Sequence, residues 1–141
     1  GGSGNAAFVK KQTKKAAGFV EKFETQMRGH NVTIQSLWDE IENNTLGLIE
    51  NKFAIADGNK ESLVSYLKSL LEMKKSINFS KSSIDELRVS LISNKGIERT
   101  MNKAIEFLAQ DLQTYIDNSD RMVVSIDKIL EKSKYVVGEI N

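Results

Sequence analysis

Apolar residues recur in alternating steps of three and four from Ile84 to the end of the chain. The series runs through Leu87, Leu91, Met101, Ile105, Leu108, Leu112, Tyr115, Met122, Ile126, Ile129, Val136 and Ile140. Asn94, Glu98, Ser119 and Ser133 occupy positions where the same rhythm meets a polar residue. Steps averaging three and a half residues keep one helix face turned toward a neighbouring helix, so the pattern predicts an all-α fold with coiled-coil-like packing. The first half carries its own stripe: Val9, Thr13, Ala16, Val20, Phe23 and Met27, continuing in phase through His30, Ile34, Leu37, Ile41, Asn44, Leu48 and Ile55.

Interruptions of these stripes set the expected helix ends. Asp57-Gly58-Asn59 is the strongest, since glycine can close one helix in the left-handed conformation and Asn59 can cap the next. Asn78-Phe79-Ser80-Lys81-Ser82-Ser83 is the second, with Ser83 and Glu86 spaced as a capping box. Unbroken phase across Gly29 allows a single helix from about Ala6 to Ala56. Against it, Gly29, Asn31 and Thr33 are weak helix formers crowded within five residues, and the reading adopted is a break there. The expected helices are therefore 6–28, 32–57, 60–77 and 83–138, the last kinked near Gly96. They form an elongated antiparallel bundle of about four helices with a long C-terminal helix. At 1.5 Å of rise per residue that last helix would reach about 80 Å and overhang shorter neighbours. A fold-back near Gly96, fusion of the first two segments, or a second copy of the chain would each cover it.

Composition supports this picture. None of the 141 residues is proline, so no ring interrupts a helix. The absence of cysteine excludes disulfides, thiolate nucleophiles and cysteine-ligated metal centres. No apolar run approaches the roughly 20 residues that a membrane-spanning helix needs. Gly1-Gly2-Ser3-Gly4 reads as a linker scar, leaving 5–141 as one helical domain cut from a longer protein. Charge alternates along the chain: +4 over residues 1–30 (six basic, two acidic), −4 over 31–57 (one basic, five acidic), +3 over 58–81 and −2 thereafter. Neighbouring antiparallel helices would favour such alternation, although an exposed pair contributes only a few tenths of a kcal/mol.

Candidate chemistry is sparse. A di-iron bundle needs Glu-x-x-His on two helices; Met27 precedes the sole histidine, His30, by three residues, so that centre is excluded. A His/Met haem could draw on His30 with Met27, Met73, Met101 or Met122, but methionines at helical spacing more often fill cores, and His30 reads as an ordinary loop or cap residue. No cofactor or metal is expected. The acidic groups Asp39, Glu40, Glu42 and Asp111, Asp117, Asp120 follow amphipathic patterns whose polar side faces water, and no phosphate loop or nucleophile motif is present. Three Asn-x-Ser/Thr sequons, at Asn31, Asn43 and Asn78, carry little weight in so Asn- and Ser-rich a chain. Lys10, Lys11, Lys14 and Lys15 form a basic edge that could meet an anionic partner, though a solvated face, or one pairing with the acidic segment that follows, is the simpler expectation. Ser119 and Ser133 are expected at exposed drifts of the seam, and Asn94 is the candidate for setting register.

The sequence thus points to a non-enzymatic interaction or scaffold module for protein–protein association or self-association. Tyr115, Met122, Ile126, Ile129 and Val136 are the candidate partner-facing seam, with intrachain core as the equal alternative. Two other functions remain: a sensory or ligand-binding helical bundle of a receptor, and anionic-membrane or nucleic-acid binding through the basic N-terminal helix. Of that last pair, nucleic acid is not an expected partner, and membrane-surface contact is a minor alternative.

Overall fold

Helix α1 spans Gly2–Glu50, α2 spans Asp57–Ser93 and α3 spans Arg99–Val137. The computed structural model describes residues 2–51, 57–93 and 99–141. Among these residues the chain is all-helical, and three helices pack together where about four were expected. The first two expected segments are fused in α1, and the expected last helix is divided between α2 and α3. Asn94, Gly96 and Glu98 lie outside the described residues.

Each difference has a local cause. Gly29 costs a helix about 1 kcal/mol relative to alanine, which tertiary contacts readily offset. Met27 and Ile34 are half-buried on either side of it, and Asn31 is buried with its Nδ2 donating to the Asp111 carbonyl at 2.9 Å. Asn31 therefore works as an interhelical tie and not as an N-cap. At Asn78–Ser83 the individual penalties are below about 0.7 kcal/mol per residue. There Ile77 packs against the core and Lys81 pairs with Asp120 across the helix interface. The Ser83–Glu86 box is consequently interior to α2. Asp57, expected to end a helix, instead opens α2, so Gly58 and Asn59 lie inside that helix and not at a break. Gly138 closes α3 in the left-handed conformation, φ 79°, donating its N–H to the Lys134 carbonyl at 3.1 Å.

The chain divides into two compact units, Gly1–Val32 with Ser83–Ile116, and Thr33–Ser82 with Asp117–Asn141. The second has the fuller core: Trp38 and Ile49 from α1, Leu63, Leu67 and Leu70 from α2, and Ile126 and Ile129 from α3. Lys74 meets Asp127 at 2.6 Å and Lys81, one heptad on, meets Asp120, one heptad back, which fixes α2 and α3 as antiparallel in this unit. Arg121 of α3 pairs with Asp39 and Glu42 of α1. In the first unit the buried apolar residues are Ala17 of α1 and Ala104, Ile105, Leu108, Ala109, Leu112 and Ile116 of α3.

The stripe of α3 is buried or half-buried at every position from Met101 to Ile140. Ser119 and Ser133 are buried with it, contrary to the expectation that they mark exposed drifts. Ser133 Oγ donates to the Leu130 carbonyl at 2.8 Å, so its hydroxyl is satisfied within its own helix. In α1 the inward row is Ala17, Asn31, Trp38 and Thr45, at multiples of seven. Of the expected stripe, Thr13, Val20, Met27, Ile34 and Ile41 are half-buried beside that row, while Ala16, Phe23, His30, Leu37 and Asn44 are exposed. Period is right and orientation differs.

Two glycine substitutions should have opposite signs. Gly29→Ala, in a helix with nothing within 4 Å of an added Cβ, should raise stability by about 0.4–1 kcal/mol. Gly138→Ala, at positive φ, should lower it by about 1 kcal/mol. Urea titrations of both variants would check this, and a loop at Gly29 would reverse the first sign.

Candidate functional site

The five residues of the expected partner seam are drawn into the chain's own packing. Ile126 and Ile129 are both 0% exposed at the centre of the second unit's core, with Met122 and Val136 packed against that core. Ile126 and Ile129 can reach a partner only if the bundle opens, whereas Met122 and Val136 are half-buried. Tyr115, in the first unit, is half-buried and stacks on His30 with ring centroids 6.5 Å apart and planes 13° from parallel. His30 itself lies in the middle of α1 and neither in a loop nor at a cap. Asn94 falls outside the described residues.

Lys10, Lys11, Lys14 and Lys15 are all exposed. Among the described residues they have no carboxylate partner. The acidic stretch of α1 that might have received such charges is engaged elsewhere, Asp39 and Glu42 meeting Arg121. The lysine edge is thus exposed and makes no ion pair among the described residues.

One carboxyl in the first unit is perturbed. Asp111 of α3 is pushed up to about 6, chiefly because burial disfavours its charged form. Glu24 of α1 adds to the effect, by hydrogen bonding to the protonated acid and by its own charge, while Arg28 acts in the opposite sense. Glu24 is itself held by Arg28 at 3.7 Å. The group joins two helices and is flanked by the Asn31–Asp111 backbone tie. Among the described residues no cluster of three or more His, Asp or Glu side chains is arranged to hold a metal ion.

Periodicity alone did not reveal the apolar surface that remains exposed. In the second unit Leu37 and Leu48 of α1 stay 54% and 46% exposed, and Tyr66 and Met73 of α2 are also exposed. Thr45 Oγ1 donates to the Ile41 carbonyl at 2.7 Å, so the 2.9 Å contact between Thr45 and Tyr66 has the phenol as donor. That bond joins α1 to α2 beside the exposed leucines. In the first unit Phe8, Phe19 and Phe23 of α1 are exposed along the same helix as the lysines. The signal that could have found both surfaces is the surplus of large apolar residues on α1, more than one helix stripe can bury.

Two measurements follow from these placements. Ile126→Asp should abolish most of the helical circular-dichroism signal, because an unpaired carboxylate would enter a filled core; a folded variant would return Ile126 to a partner-facing role. Asp111 bears on pH dependence. Its folded value lies above the ordinary 3.8, so between about pH 4 and 6 the folded chain retains a proton that the unfolded chain has lost, and stability falls as pH rises through that window. Asp111→Asn should flatten the slope and exceed the parent's stability near pH 8 in urea titrations, with little difference near pH 4. No protein-family model, curated protein or solved structure matches this chain.

Proposed function

We propose that this chain is a non-enzymatic association module that pairs with a second copy of itself through the exposed row of α1 in the second unit. The observation that carries the reading is the spacing of Leu37, Ile41, Asn44 and Leu48. Steps of four, three and four are those of a coiled-coil seam, yet Leu37 and Leu48 remain about half exposed and Asn44 is exposed, while Ile41 is half-buried against the core.

The spacing also reads the same in both directions. In an antiparallel two-fold contact, Leu37 of one copy lies across from Leu48 of the other, and Ile41 across from Asn44. One patch then serves as both halves of the interface, and coiled-coil-like packing arises between copies. Tyr66 of α2, hydrogen-bonded to Thr45, adds apolar surface beside this row, and Asn44 beside Ile41 favours the register that lets its amide reach water at the rim. Large apolar residues grouped on a surface favour association over isolation.

Light scattering on a size-exclusion peak tests this. The chain should elute with about twice the 15.8 kDa mass of one copy, and Leu37→Lys with Leu48→Lys should halve the mass while leaving the helical signal unchanged. A single-copy mass for the parent chain up to the highest soluble concentration would overturn the proposal.

A further inference from the structure

The first half of α1 carries a feature that self-association through residues 37–48 leaves unused. Phe8, Lys11, Lys15, Phe19 and Lys22 follow one another in steps of three, four, four and three, which places them along one side of the helix. Phe23 lies one turn beyond Phe19 on the same side. The three phenyl rings are 63%, 61% and 42% exposed, and the three lysines are exposed between them. Lys10 and Lys14 continue the positive charge around the helix.

The charge of this stretch is almost uncompensated. Glu24 and Arg28 cancel one another in an ion pair, leaving five lysines against the exposed carboxylate of Glu21. Large apolar rings interleaved with flexible ammonium groups suit an interface that is apolar below and anionic above. Phenyl rings enter the acyl boundary while the lysine stems lie along it and lift their charges to the phosphates.

We infer that this face of α1 docks on an anionic lipid bilayer, lying in the plane of the headgroups. No described helix is long and apolar enough to cross a membrane, so the contact is with the surface alone. A nucleic-acid backbone would satisfy the lysines but would leave the phenylalanines in water, and the one arginine of the stretch, Arg28, is already paired. The bilayer satisfies both residue types together.

Co-sedimentation of the full chain with vesicles tests the assignment, using phosphatidylcholine alone and phosphatidylcholine with about a third phosphatidylserine. Binding should require the anionic lipid and weaken with salt. Changing Lys11, Lys15 and Lys22 together to glutamine should reduce it more than tenfold, from about fivefold per lysine. Changing Phe8 and Phe19 to serine should reduce it at low salt as well, with the helical signal and the light-scattering mass both unchanged. The inference is overturned by equal binding to neutral vesicles or by no binding at all. It is also overturned if the serine variant binds like the parent, if a single-stranded oligonucleotide binds more tightly than the vesicles, or if the serine substitutions lower the oligomer mass, which would show a second copy covering the rings.

Discussion

Helix α3 must bury itself against two neighbours at once, and most of the structure depends on that demand. It supplies eight of the fourteen buried apolar residues among those described. A face serving two partners is wider than a two-helix seam, which is why Ala104, Ala109 and Ile116 are buried beside the regular stripe of Ile105, Leu108 and Leu112. Small residues recur on it. Ala104, Ala109, Ser119, Ser125 and Ser133 are all buried, and a short side chain lets a neighbouring helix approach where leucine would hold it off. A serine hydroxyl bonded to its own helix, as at Ser133, makes such a position tolerable inside a core.

That demand also explains what the sequence made legible. The stripe from Met101 to Ile140 has one inward direction, and its apolar residues turn inward, among them the stretch from Tyr115 to Val136 that the sequence left divided between partner and core. Helix α1 is different because apolar residues lie on two adjoining sides of it. A period of three and a half residues then specifies a helix without specifying its rotation. Rotation is decided by the largest side chain: turning Trp38 inward buries more apolar surface than turning Leu37 inward, and Ala17, Asn31 and Thr45 share its side at multiples of seven residues. Local propensity misled at Gly29 and at Asn78–Ser83 for a related reason. A few tenths of a kcal/mol per residue, or about 1 for glycine, is smaller than what a packed helix gains from Ile34 or Ile77. The partner seam placed on α3 and the surfaces left bare on α1 share one origin, since the residues of one helix that fill the core displace those of another to the outside.

Charge plays a secondary part. Segments of alternating sign do meet, Arg121 with Asp39 and Glu42, and Lys74 and Lys81 with Asp127 and Asp120. Exposed pairs of this kind add little stability; at heptad spacing they discriminate between registers that the apolar residues alone would leave close in energy. Among the described residues, the lysines near the start of α1 have no such role. Their charges are therefore free to act outward.

The two cores are unequally filled. In the first unit α1 gives Ala17 and the described part of α2 gives no fully buried residue, whereas the second unit gathers a tryptophan, three leucines and three isoleucines. Separating helices therefore uncovers much less oily surface in the first unit than in the second. Amide protons there should exchange through openings far smaller in free energy than complete denaturation, so the molecule breathes from the unit that holds the phenylalanines while the tryptophan core stays shut.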